Sequence, residues 1–486
     1  MIISKQEVKD LKTVNISAKN FSATNNGIFE GWGTSLCWYA NRIGFSEKLV
    51  KDSARLFFSP EGLGLNIMRY NIGGGDAPSH DHIKRTDSEM PGWWKYNEAA
   101  KTYIFNTDTD HNQLRVLSAS YKSAGKDAYV EAFSNSPPFY MTKSGCSSGN
   151  HNPAQDNIKE EAIDDFGKYL SAVCKHITEN LGIRIKSLAP MNEPFSNYWR
   201  YHSEKQEGCF VSPGKIQSNV IISTSNALKN DGLDEIIVTA SDETNTVTQY
   251  ISTKMMSEDA LSRVKRISTH TYAKASPLVS ALARELNKNI WMSETDWSGV
   301  SGEDSGEMGP ALWLAEKIIE DINTLSPSAF VIWQIIAAYI SKIPDRKGRL
   351  DMPCVPDLTH GFWGTAFADI DNEEIYLTQK YYAFGQFSRY IRPGMTIINT
   401  EDVGTLAAYD KETGKTVIVA VNTDITDKET EFAIDDINVR RNFAEVIRTS
   451  GTISNGEHWE NIGSLSLSEN RLKAVLKKHS ITTFII

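Results

Sequence analysis

Between residues 30 and 391 the chain repeats one pattern eight times: a short β-like run, then a stretch of helical periodicity. The runs are 31–38, 63–70, 128–134, 183–191, 236–240, 264–269, 289–293 and 329–333. Apolar residues recur at three- and four-residue spacing between them, as in 163–178 (Ile163, Phe166, Tyr169, Leu170, Val173), 310–325 and 376–390. Strands that alternate with helices build parallel sheets, because each helix carries the chain back to the end where the last strand began. Repeated right-handed crossovers at this count close the sheet on itself, so the expected fold class is α/β, a (β/α)8 TIM barrel.

After Ile391-Arg-Pro-Gly the period changes. The segments 405–409, 416–422, 429–434, 443–449, 464–467 and 480–486 are short β-rich runs separated by Gly, Asp and Asn. The segment 12–21 also reads as strand. We expect two domains: a barrel over 30–391, and an appended all-β sandwich made from 1–29 together with 392–486. A chain of 486 residues is long enough for both.

The formal charge is −10, with both signs dispersed along the chain. That pattern lacks the basic footprint of a nucleic-acid or anionic-membrane partner and favours a neutral substrate. Cys37, Cys146, Cys174, Cys209 and Cys354 are scattered, with no Cys-x-x-Cys pair, and read as reduced thiols rather than a disulfide framework or zinc site. No stretch approaches the apolar length of a membrane span. The first ten residues lack the apolar core of a signal peptide, so the location is cytoplasmic as written, or extracellular if a signal was removed. The 11 Trp and 18 Tyr are more telling, because many stand in polar, loop-like surroundings.

In a (β/α)8 barrel the C-terminal strand tips form the floor of the active site. Two carboxylates fall there. Glu193 ends the run Ile183-Arg-Ile-Lys-Ser-Leu-Ala-Pro-Met-Asn-Glu-Pro, where Pro194 stops the regular structure. Glu294 ends Asn289-Ile-Trp-Met-Ser-Glu. They are 101 positions apart, about three βα units of roughly 30 residues each. That puts them on the fourth and seventh strands, facing each other across the barrel. Two facing carboxylates are what glycosidic-bond cleavage requires: one attacks, while the other donates and later recovers a proton. Their pKa values must therefore be split, and Arg69 at the end of the second run is a cation placed to keep Glu294 ionised. Asn192 offers an amide to a sugar hydroxyl. Gly33 and Gly73–Gly75 suggest sharp turns or close backbone approach, and their contiguity excludes a dinucleotide fingerprint.

The chain resembles glycoside hydrolase family 30. The likeness rests on Glu30-Gly-Trp-Gly-Thr-Ser-Leu-Cys-Trp, Met68-Arg-Tyr-Asn-Ile-Gly-Gly-Gly-Asp, Phe133-Ser-Asn-Ser-Pro-Pro, Ala189-Pro-Met-Asn-Glu-Pro, Trp291-Met-Ser-Glu and Tyr381-Tyr-Ala-Phe-Gly-Gln-Phe-Ser-Arg-Tyr-Ile-Arg-Pro-Gly, in that order. The resemblance implies a retaining clan-A enzyme with a barrel fused to a β-sandwich. It implies Glu193 as general acid/base, Glu294 as nucleophile and Asn192 as ligand of the hydroxyl beside the anomeric carbon. Within the family the motifs are most similar to the endo-β-1,6-galactanase branch, with one departure: Tyr39 stands where that branch is expected to carry a second Trp.

For substrate contact we select Trp32, Trp38, Trp199, Trp297 and Trp333, which lie at or just beyond run ends and present faces suited to the apolar side of a pyranose. Asn71, Asp76, Asn135, His270 and Tyr272 are polar groups at run ends suited to hydroxyls. No cofactor and no metal are expected, since His270 has no partners at ligand spacing. The segment 335–374 is expected to wall one end of the cleft. The partner is an oligo- or polysaccharide. Other family specificities stay open (β-glucosylceramide, β-1,6-glucan, β-xylosides or glucuronoxylan), as does a non-catalytic carbohydrate-binding barrel.

Overall fold

The computed structural model describes residues 11–21, 24–297, 307–345 and 363–486. Eight parallel strands close into a barrel: β1 Gly31–Ser35, β2 Ile67–Asn71, β3 Tyr129–Phe133, β4 Ile185–Ala189, β5 Ile237–Glu243, β6 Val264–His270, β7 Asn289–Glu294 and β8 Ala329–Ile332. Each pairs with its sequence neighbour, and β8 pairs with β1. The helices Ile163–Leu181, Lys215–Asn230 and Met308–Leu325 cover the outside with apolar faces. Strands buried on both sides explain why the runs read as nearly continuous apolar stretches.

Alternation still governs which side chain enters the barrel. In β2, Met68 and Tyr70 face outward into the main core while Ile67 and Arg69 face in; in β3, Val130 and Ala132 face out while Tyr129 and Glu131 face in. The lower interior is apolar, with Ile67, Trp291, Ala329 and Val331 packed against Tyr129. Above it the interior becomes charged, because the next inward residues are Arg69, Glu131 and Arg266.

Two β-bulges break the alternation where it matters. Ser268 and Thr269 of β6 oppose Trp291 and Met292, but the next residue, His270, opposes Glu294, so Ser293 is an extra residue in β7. Without that insertion Glu294 would share the outward face of Ile290 and Met292. In β5 the register shifts between Ser241 and Glu243, and Asp242 between them takes a left-handed backbone with φ 66°. Bulges re-aim side chains in this way beside active sites.

Nine further strands form one sheet, into which Lys12–Ser17 pairs parallel with Lys428–Asp435. The long strand Gly456–Ser468 is shared by its two halves. Those halves face each other across Val14, Ile16, Phe432, Ile434 and Leu472 on one side and Ile398, Ile418 and Phe484 on the other. Phe432 and Phe484 meet at 5.3 Å. The strands Thr396–Ile398 and Arg471–Leu476 were not among the expected runs, and the run 464–467 is the tail of a thirteen-residue strand. Part of the helix expected over 376–390 is instead strand Glu374–Leu377, in a small sheet with Ile336–Ile340 and Ala366–Asp369. The helix itself, Gln379–Ser388, joins barrel to sheet: Gly385 lies so close to the Trp459 ring that a β-carbon would sit 2.1 Å from it, and the Trp459 indole donates to the Tyr382 carbonyl at 2.7 Å.

Candidate active site

Glu193 stands four residues past the end of β4, in a left-handed backbone conformation with φ 48°. A non-glycine residue there carries strain of order 1–3 kcal/mol, which the surroundings must hold. Its N–H donates to the Asp242 carbonyl at 2.8 Å, and its own carbonyl accepts from the Trp199 indole at 3.0 Å. Behind it the buried Glu243 accepts the Phe195 N–H at 3.0 Å, and burial raises the Glu243 carboxyl to about 7. The Glu193 carboxylate accepts from the Tyr198 hydroxyl on one oxygen and faces His270 Nδ1 at 3.1 Å on the other.

Glu294 accepts from Arg69 Nη1 at 2.8 Å and from the Tyr272 hydroxyl at 2.8 Å. Ligating atoms of Glu193, His270 and Glu294 all lie within 4.8 Å of one another, so the two carboxylates are near neighbours. Arg69 is the hub beneath them. It is fully buried, spans Ser35, Asp242, Glu131 and Glu294, and rests 4.1 Å over the Phe133 ring. Glu131 also pairs with Arg266, which stacks on Trp291 at 3.4 Å. His270 Nε2 faces Asp242 Oδ1 at 3.3 Å.

The electrostatics follow from this packing. Burial opposes charge on His270, but the Glu294 and Asp242 carboxylates overcome it and raise the imidazole to about 10, so the ring is a cation at neutral pH. Burial likewise works against the Asp242 carboxylate, and Arg69 and His270 outweigh it and hold that carboxyl well below its ordinary range. For Glu294 burial prevails: the carboxyl is raised, with Glu193 and Asp242 adding to the rise and His270 and Arg69 opposing it. The linked cluster contains three cations (Arg69, Arg266, His270) and four carboxyls (Glu131, Glu193, Asp242, Glu294).

The two glutamates open into a cleft of about 1310 Å³, which Asn192, Tyr272, Trp38, Trp199 and Trp333 also line. Trp38 and Trp333 meet edge to face at 5.9 Å. The segment expected to wall the cleft contributes Ala337, Ala338, Tyr339 and Trp363; its part 346–362 lies outside the described residues, as does Cys354.

Several expected contacts are elsewhere. Trp32 is a core residue: its indole donates to the Ile391 carbonyl at 2.7 Å and packs on Phe29, Phe384 and Phe387, because its place in β1 turns it outward. Trp297 is 45 % exposed and packs on Trp313, away from the cleft. Asn71 and Asn135 bond each other at 2.9 Å, buried and off the cleft lining. Asp76 turns into the loops, accepting the Ala77 and Ser147 N–H groups. Tyr39 packs in the core, so the departure at that position does not touch the sugar surface. Of the glycines, Gly33 lies within β1, where a β-carbon would sit 2.6 Å from Ile67, while Gly75 has φ 71° and with Gly74 donates backbone N–H groups to the buried Glu207.

Sequence reasoning missed Glu131, Tyr198, Asp242 and Arg266. An acid in the middle of the apolar run Tyr129-Val-Glu-Ala-Phe was the available signal for Glu131. Asp242 had none, since its orientation comes from a bulge.

Among the described residues no helix is long and apolar enough to cross a membrane. Residues 13–288 match the family described as O-Glycosyl hydrolase family 30. The chain is 28 % identical to an endo-β-1,6-galactanase of Hypocrea rufa, over 95 % of this chain and 92 % of that one. It is 25 % identical to an exo-β-1,6-galactobiohydrolase of Bifidobacterium longum subsp. longum, over 71 % of this chain but only 28 % of that longer protein. The fold is similar to the catalytic domain of a family 30 xylanase C from Talaromyces cellulolyticus (TM-score 0.71, 18 % identity, 98 % and 100 % of the two chains). With the barrel, the paired carboxylates and these likenesses together, the chain belongs to O-glycosyl hydrolase family 30 and is a glycoside hydrolase.

Proposed function

We propose that the protein hydrolyses β-1,6-galactosidic linkages, in galactan side chains or their oligosaccharides, with retention of configuration. The observation that carries the mechanism is the approach of Glu193 and Glu294 to within 4.8 Å at the floor of one cleft. Retaining enzymes hold their carboxyls about 5–5.5 Å apart, whereas inverting ones need about 6.5–9.5 Å to admit a water. Glu294 is the nucleophile. Arg69 and Tyr272 donate to it and favour its ionised form against burial, and Glu193 is the general acid/base. Glu193 passes a proton to the glycosidic oxygen as Glu294 bonds the anomeric carbon. It then takes a proton from the water that releases the sugar. His270, cationic between both carboxylates, steadies the negative charge that shifts from one to the other. Asn192, beside Glu193 on the cleft wall, serves the hydroxyl next to the anomeric carbon.

The sugar and linkage are supported by the two relatives with β-1,6-galactan-cleaving names. Within this reading 30–391 is the catalytic unit, and 1–29 with 392–486 its companion domain. Incubation with size-defined β-1,6-galactooligosaccharides should release galactose-containing products whose first-formed anomer is β by NMR. Release from β-1,6-glucan or glucuronoxylan but not from β-1,6-galactan would sink the specificity, and a first-formed α anomer would sink the mechanism.

A further inference from the structure

Away from the catalytic floor, three loops meet at a second cluster. His80 and His82 come from the loop after β2, Cys146 from the loop after β3 and His202 from the loop after β4, and their ligating atoms all lie within 4.8 Å of one another. We propose that these four residues bind one zinc ion, which locks together the loops that wall the substrate cleft.

The donor set is the first reason. Three imidazoles and one thiolate are a tetrahedral zinc set, and soft sulfur with imidazole nitrogen favours zinc over calcium or magnesium. Geometry is the second. Zinc bonds of about 2.0–2.1 Å to nitrogen and about 2.3 Å to sulfur put those two atoms about 3.6 Å apart at a tetrahedral angle; Cys146 Sγ and His82 Nε2 are 3.7 Å apart. Third, a carboxylate backs the set. Asp76 Oδ1 lies 3.2 Å from His80 Nδ1, an arrangement that orients a metal-bound imidazole through its other ring nitrogen. Crowding points the same way: the His80 and His82 rings pack 4.5 and 4.6 Å from His202, where protonated imidazoles would repel one another and neutral ones could share a cation.

The consequence concerns the cleft. Lys84, Arg85 and Thr86 follow His82, and Ser203 to Gln206 follow His202; all line the cavity. Those two stretches pair through the Lys84 N–H and Glu204 carbonyl at 2.9 Å, and the Ser147 carbonyl on the loop after β3 accepts the Gly208 N–H at 2.9 Å. A metal at their junction would fix the wall without touching the floor. The spacing of these ligands, across more than a hundred residues, hides the set from a reading that looks for close motifs.

Untagged protein should carry about one zinc per chain by elemental analysis. Chelator-stripped protein titrated with Co²⁺ should show tetrahedral d–d absorption and a thiolate-to-cobalt band. The Cys146→Ser variant should lose the thiolate band, and His82→Ala should lose saturable binding. Zinc far below one per chain, no saturable Co²⁺ spectrum, or spectra unchanged in both variants would overturn the site. Stripping should raise KM for oligosaccharides severalfold and leave kcat within about twofold; a fall in kcat alone would refute the wall role. Metal content is independent of the sugar specificity, so either reading can fail without the other.

Discussion

The barrel and the companion sheet solve the same burial problem with opposite chemistry. Between its two halves the sheet buries Val14, Ile16, Phe432, Leu472 and Phe484, and each such side chain adds about 1.5–3 kcal/mol of hydrophobic stabilisation. The upper barrel buries Arg69, Glu131, Asp242, Arg266, His270 and Glu294 almost completely. Each of these ions loses several kcal/mol of hydration, and pairing about recovers that loss, so the network is a poor source of stability. What it supplies is orientation. Arg69 and His270 fix the charge and direction of two carboxylates that apolar packing could not aim. The stable region and the reactive region are therefore different parts of one chain.

Changes at the floor should separate chemistry from folding most sharply. Glu294→Gln should lower kcat by at least about 10³-fold while the unfolding transition stays within a few degrees, since the amide keeps the shape and one oxygen to accept from Arg69 but cannot attack. Calorimetry with product assays checks this; retained turnover would refute the nucleophile.

Arg69→Met tests the hub and should affect both properties. It leaves Glu131, Asp242 and Glu294 buried without their shared cation, at a cost of about 3–5 kcal/mol. It also moves the pH profile. Activity requires ionised Glu294, whose carboxyl is already raised by burial, so the acid limb of kcat/KM should lie above the ordinary glutamate value of about 4.3. Removing the Arg69 charge should push that limb higher still. A limb that does not move in Arg69→Met would show that Arg69 does not control the nucleophile.

The converse change belongs in the sheet and should have the smallest effect on chemistry. Phe432→Ala should cost about 3–5 kcal/mol of stability and leave kcat within about twofold at temperatures where the variant is folded. Denaturant unfolding beside steady-state kinetics tests it, and a large fall in kcat would mean that the sheet participates in the site.

Much of this arrangement was legible beforehand because it is written in local periodicity. Eight strand–helix alternations demanded a parallel barrel, and apolar runs of strand length located the tips that carry Glu193 and Glu294. The resemblance carried their roles further. Arg69 was readable because a cation inside a buried run needs a partner. Legibility failed where several environments suit one residue type. Trp32, Trp38, Trp297 and Trp333 all stand near strand ends, yet Trp32 packs under the last helix and Trp297 lies on the surface, while Trp38 and Trp333 meet in the cleft. Arg471-Leu-Lys-Ala-Val-Leu carries a strand signal in plain alternation, and it forms a strand.

By itself the sequence determined the barrel, the companion sheet, and which two acids reach the floor, since each depends on the nearest few residues. The tertiary structure alone decided how those acids point. Strict alternation turns Glu294 outward with Met292, and the bulge at Ser293 turns it in. Asp242 reaches Arg69 only through its left-handed backbone. His80, His82, Cys146 and His202 meet only because the closed barrel brings the loops after β2, β3 and β4 to one rim. A bulge and a loop junction are stabilised by contacts across the whole molecule, which no local pattern encodes.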